Sequence, residues 1–173
     1  MTTQTLDIER WVLELLIVLK QESEAMAQIS MWLTQLQERV MQRDELGLEA
    51  LFTEIRTHEN LMPELERRRQ SIRGDLATVL GLPFEQLTLT RLEELLTGEL
   101  RNQVSQMKAH LKTQTRRLHN QRQGTVMFLA DCIRLNRQLL NSVFHNTPQS
   151  HLTYSARGNS EHQRSSALVN LQF

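Results

Sequence analysis

The chain holds a single cysteine, Cys132, among its 173 residues, so an intrachain disulfide is excluded and a reducing compartment is expected. Proline occurs three times, glycine six times, and aromatic residues make up 5%. With so few breakers there is little to divide the chain into short elements. Long apolar runs are missing as well. The densest, Trp11 to Leu19, is interrupted by Glu14 and is far shorter than the roughly 20 residues a membrane span needs. Met1 to Asp7 has neither the basic stretch nor the small-residue cleavage site of a secretion signal, so a soluble, cytoplasmic protein without membrane insertion is expected. The formal net charge is zero, which gives no overall bias toward polyanions. That balance hides an asymmetry. Residues 1–100 carry 18 acidic against 10 basic side chains, and residues 101–173 carry 10 basic ones against only Asp131 and Glu161. An acidic layer packed beside a basic one, or two faces meant for different partners, would each account for it.

What the chain does have is Leu, Gln, Glu and Arg, all good helix formers. Ile8, Val12, Leu15, Leu19, Glu22, Met26, Ile29, Leu33, Leu36 and Val40 recur at alternating spacings of four and three, with Glu22 as the only break. Such a 3.5-residue repeat is a coiled-coil seam, and Trp11, Leu16 and Trp32 widen it to the stripe of a globular bundle. The pattern predicts a helix from Leu6 to Gln42, about 55 Å long at 1.5 Å per residue. After a polar break at Arg43, Asp44 and Glu45, a second seam runs Leu48, Leu51, Ile55, His58, Met62, Leu65, Arg69, Ile72, Leu76, Val79. Pro63 predicts a kink, or a break with Asn60 capping the restart. Gly81 followed by Pro83 ends the helix. Thr90 with Glu93 reads as a capping box for a short helix over 91–96. A third long helix is predicted from Glu99 to Phe144, apolar at both ends and polar from Thr113 to Gly124 apart from Leu118, a stretch expected to face solvent or pack loosely.

The expected fold is therefore all-α: a long antiparallel helical hairpin plus a third long helix, forming a coiled-coil-like three-helix bundle over residues 1–145. A flexible tail, 146–173, follows, filled over 146–166 with Asn, Thr, Pro, Gln, Ser, Gly and His without periodicity and ending in the apolar cluster Leu168, Val169, Leu171 and Phe173.

The sequence carries no Gly-rich phosphate loop, no Gly-x-Ser-x-Gly, no His-Glu-x-x-His and no Glu-x-x-His. No enzyme, metal site or cofactor is expected. The six histidines are scattered singly, His58 reads as a hydrogen-bonded core or boundary residue, and Cys132 reads as a buried structural thiol. Arg101, Lys108, Lys112, Arg116, Arg117 and Arg122 have no acidic residue among them, but no nucleic-acid-binding motif accompanies them, so a solvated or internally paired face is expected and no nucleic-acid partner. Glu22 and Arg69 interrupt two seams that should run antiparallel; they either pair or face open flanks. In the tail, Tyr154-Ser-Ala-Arg-Gly158 sets an aromatic before a turn, and an exposed tyrosine is an efficient anchor.

Two long helices, a short capped helix, a third long helix with Asn136-Arg-Gln-Leu139-Leu140 near its end, and Tyr154-x-x-x-Gly158 beyond it resemble the FlgN family of flagellar export chaperones, over most of residues 5–160. The order and spacing of the parts carry the resemblance. The chain departs from the family pattern in Ser155, where many members have glycine, and in about 15 residues beyond Gly158. The resemblance implies a cytoplasmic, non-enzymatic chaperone that keeps hook-associated (hook–filament junction) proteins unassembled and delivers them to the flagellar type III export gate. It further implies that Leu129, Ile133, Asn136, Leu140 and Val143 contact the client and that Tyr154 docks at the gate. The competing expectation is a structural coiled-coil adaptor or oligomer, with the seams mating between chains by self-association.

Overall fold

A computed structural model describes residues 7–144 in full and the backbones of 2–6, 145, 153, 154, 160 and 161. The fold is all-α. Helix α1 spans Thr2–Gln42, α2 Glu45–Thr57, α3 Leu61–Leu80, α4 Leu89–Leu95 and α5 Gly98–His145, with a 3-10 turn at Phe84–Gln86. The only other described pairing is between backbones, Thr153 with Glu161 and Tyr154 with Ser160. The remainder of the segment expected to be a flexible tail, residues 146–173, lies outside the described residues. The chain divides into two compact units, Met1–Leu129 and Ala130–Phe173.

Where the helices stop is decided by local chemistry. After α1, Arg43 takes a left-handed conformation (φ 55°), and the Asp44 amide donates back to Arg39 O at 3.0 Å. Asp44 then caps α2, its Oδ1 accepting from the Gly47 amide at 3.0 Å, while Arg39 Nη1 reaches Asp44 Oδ2 at 3.1 Å. The second seam is two helices, parted by a turn over 58–60. Pro63 is the third residue of α3, where its missing N–H would have had no intrahelical acceptor, so it causes no kink. Asn60 occupies the capping position but makes no side-chain cap bond. At the other end of α3, Gly81 (φ 65°) lets the Leu82 amide reach Ala77 O at 3.0 Å, closing a Schellman turn. The cap of α4 is Thr88, whose hydroxyl accepts from the Arg91 amide at 3.1 Å, and not Thr90. Glu93 is unavailable for a capping box because its carboxylate pairs with Lys108 of α5.

The core of the first unit is built from the expected seams. Val12, Leu15, Val18 and Leu19 of α1 meet Leu65, Ile72, Leu76 and Ala77 of α3, and Leu87, Leu92, Leu96 and Val104 close the cluster. Full burial of each large aliphatic side chain contributes about 1.5–3 kcal/mol. α3 runs antiparallel to α1, with Arg69 against Glu22, and α2 continues that hairpin with the Trp32 indole N–H donating to Glu54 Oε1 at 2.8 Å. α5 runs parallel to α1: the side-chain bonds between them keep a nearly constant offset, from 87 to 91 residues.

Those bonds replace apolar packing in the middle of the seam. The Ser23 hydroxyl donates to Gln114 Oε1 at 2.7 Å and shares a 2.9 Å bond with His110 Nε2. Gln121 accepts from the Ser30 hydroxyl and donates to Ser30 O and Thr34 Oγ1 at 2.8 and 2.9 Å. Gln37 Nε2 donates to Thr125 Oγ1 at 2.9 Å, and Thr125 is 2% exposed. Most of the stretch 113–124 is exposed, as expected, and what it turns inward are Gln114 and Gln121, seven residues apart and bonded to Ser23 and Ser30 at the same interval on α1.

Candidate partner-binding surface

Beyond Ala130, α5 continues as an amphipathic helix whose apolar side chains are exposed. Ile133 is 54% exposed, Leu140 55%, Val143 71% and Phe144 73%, with Leu135 and Leu139 in the same range. At about 100° per residue, Leu135, Leu139, Val143, Leu140, Ile133 and Phe144 occupy roughly half the circumference. The opposite half carries Asp131, Arg134, Arg137, Gln138 and Asn141. Arg134 Nη2 pairs with Asp131 Oδ1 at 3.1 Å, both exposed. A stripe of this width belongs against another element, and isolated apolar residues on a surface would need no such account.

Of the residues assigned to client contact, Ile133, Asn136, Leu140 and Val143 lie on one side of this helix and are exposed. Asn136 sits within the apolar half and is exposed, an amide with both donor and acceptor capacity among apolar side chains. Leu129 is half-buried at the end of the first unit. Leu135, Leu139 and Phe144 are not among the residues that the resemblance assigns to the client; projection on a helical wheel places all three on the same face. The backbone of Tyr154 pairs with Ser160, and its side chain lies outside the described residues.

Other residues singled out in the sequence have structural partners. His58 is exposed, not in the core; it follows α2, its Nδ1 lies 3.0 Å from Glu54 O, and its ring stands 5.5 Å from that of Trp32. Cys132 is half-buried, not buried. Glu22 and Arg69 do pair, Nε to Oε1 at 2.9 Å, and Glu66 joins the same guanidinium. Burial pushes the Glu22 carboxyl above its ordinary range, and the Arg69 charge only partly offsets it. Hydrogen bonds from Gln70 and then Arg69 hold the Glu66 carboxyl below it. Lys112, Arg116, Arg117 and Arg122 are exposed and, among the described residues, make no ion pair. Among the described residues no group of three or more His, Cys, Asp or Glu side chains is placed to hold a metal ion, and no helix is long and apolar enough to cross a membrane.

What the geometry provides is a helix with a wide, exposed apolar face and one amide in it, the kind of surface on which an amphipathic partner segment can dock. No known protein family, curated protein or solved structure matches the chain.

Proposed function

We propose that this protein is a cytoplasmic, non-enzymatic chaperone of flagellar type III export that binds hook-associated junction proteins, keeps them unassembled and delivers them to the export gate. The observation that supports this reading is the apolar face of α5 from Ile133 to Phe144, exposed along its length. A chain that must hold a client and later release it needs a surface that is apolar enough to capture a segment and small enough to let it go. The described part of this helix beyond Leu129, 130–145, is about 24 Å long, and a strip that size falls well short of the roughly 800 Å² per partner of a stable specific interface. An unstructured client segment that folds as it docks loses entropy on ordering, which keeps its affinity moderate. Tyr154 then serves as the gate anchor.

Calorimetric titration of the full chain with a junction protein from the same organism tests the reading. Binding weakened at least tenfold by Ile133→Glu and by Leu140→Glu is expected, because an anchor side chain at the centre of an interface is worth about 2 kcal/mol or more. No binding by the intact chain overturns it. Tyr154→Ala should lower secretion of the client while leaving its affinity for the chaperone unchanged. The same apolar face would also admit a second copy of the chain, as in a structural adaptor. The small area makes such a dimer weak, and sedimentation equilibrium showing a tight oligomer would favour the adaptor.

A further inference from the structure

One apolar segment of the sequence has no part in the core or in the client face: Leu168, Val169, Leu171 and Phe173, within a stretch, 165–173, that holds no charged side chain. Val169, Leu171 and Phe173 alternate with Asn170 and Gln172, so an extended backbone sets all three on one side. The second unit also contains an uncovered surface of the same character, the face of α5 from Ile133 to Phe144. A patch of that kind on an unliganded protein invites aggregation unless something shields it.

The register beyond α5 brings segment and face to the same place. Thr153 pairs with Glu161 and Tyr154 with Ser160 in antiparallel sense, so the chain reverses direction there. The arms on either side of that pairing are equal. Eight residues lead from His145 to Thr153, and eight lead from Glu161 to Val169. A chain that leaves α5 and turns back in this register returns to the end of the helix at Val169. From Val169 to Phe173 an extended strand covers about 13 Å, a length that α5 covers in about nine residues, Phe144 back to Leu135.

We propose that residues 168–173 fold back onto the apolar face of α5, with Val169, Leu171 and Phe173 laid along it from Phe144 toward Asn136, and that a ligand of this face must displace them. That the ligand is a junction protein rests on the function proposed above; the fold-back does not. Asn136 suits an extended occupant, because a strand lying on a helix keeps backbone N–H and C=O groups unpaired and a side-chain amide meets one of each. The tether gives the segment an effective concentration on the order of 1 mM, which a second copy at micromolar concentration does not match. With an intrinsic Kd of about 0.1 mM the segment covers the face about ten parts to one and weakens a competing ligand about tenfold. The structure, with this face uncovered, is the open state of that exchange.

The test uses the full chain carrying Cys132→Ser, so that a nitroxide attached through Asn170→Cys is the only label. The label is expected to broaden the amide signals of 133–144, and in a mixture with unlabelled, isotope-enriched chain the signals of the unlabelled chain should stay sharp. Adding Leu171→Glu and Phe173→Glu should remove the broadening, with circular dichroism confirming the helices. The same two substitutions, without the label, should tighten binding of the junction protein about tenfold. Absence of broadening over 133–144 overturns the proposal, as does broadening that survives Leu171→Glu and Phe173→Glu, since it then reports the tether alone. Broadening carried to the unlabelled chain assigns the face to a second copy and overturns it too. Unchanged affinity for the junction protein in the doubly substituted chain overturns the competition. A chain that shows the broadening, loses it on substitution and yet binds no junction protein supports the fold-back and overturns the export reading, so the two fail separately.

Discussion

A carboxylate on the core face of a helix is costly at neutral pH unless something compensates it, and Glu22, 7% exposed, stands in that position on α1. Arg69 compensates, itself shared with Glu66, so the three form a small ionic cluster inside an apolar seam. The arrangement predicts opposite effects for its two ends. Arg69→Met leaves ionised Glu22 buried without its partner and should cost about 3–5 kcal/mol at pH 7. Because burial has raised the Glu22 pKa, that side chain favours the folded state most when protonated. Its contribution is complete below the ordinary carboxylate value and is lost as pH rises through the raised one. The penalty of Arg69→Met should therefore shrink as the pH is lowered toward 4, and Glu22→Gln should match or exceed the wild type at pH 7 while losing any advantage in acid. Glu66 works the other way: its lowered pKa gives stability above the ordinary value that is lost as pH falls through the lowered one, and its exposure keeps that contribution small. Urea denaturation of both variants between pH 3.5 and 7.5 reads these slopes. A pH-independent cost for Arg69→Met would show that Glu22 is not the group left unpaired.

Among the elements, α5 is the one whose packing changes most along its length. Near Val104 it joins the apolar core, and from Gln114 to Thr125 it is held to α1 by glutamine and hydroxyl side chains. Each such bond nets about 0.5–1.5 kcal/mol, whereas replacing both partners of a polar pair with apolar residues is often neutral or stabilising. Ser30→Leu combined with Gln121→Leu should accordingly hold or raise the melting temperature, and either change alone should lower it by stranding its partner. Amide exchange should be faster over 113–129 than over 100–111 in the wild type, and this contrast should fade in the double variant. The seams of α1 and α3 were readable from spacing because their periodicity is apolar. The rungs on α5 were not, since polar side chains such as Gln114, Gln121 and Thr125 carry no sign of whether a partner or water meets them. The α4 cap was misplaced for a related reason. Thr88 and Thr90 are both suitable caps, and the presence of Glu93 three residues after Thr90 favours the wrong one until Lys108 is known to take that carboxylate. Pro63 was ambiguous because a proline in a first turn and one in a helix interior look alike in sequence. The exposed face at 133–144 was legible as amphipathic helix, but a pattern does not reveal whether its apolar side is covered.

At the scale of the whole molecule, every side chain of the buried cluster and those packed on it lie between Ile8 and Leu111, within the unit that ends at Leu129. Between the acidic first hundred residues and the cations of α5, only Glu93 and Lys108 form an ion pair among the described residues. The charge asymmetry of the sequence thus contributes little internal pairing and leaves Lys112, Arg116, Arg117 and Arg122 in solvent, where salt screens them. The fold should consequently rest on the apolar cluster, and a chain ending at Leu129 should keep it. Such a truncation is expected to melt cooperatively within about 4 °C of the full chain, the shift that roughly 1 kcal/mol produces in a domain of this size. It should lose all affinity for the junction protein. A truncation that unfolds would place essential packing beyond Leu129, and one that retains the client would move the client surface off Ile133, Asn136, Leu140 and Val143 and into the first unit.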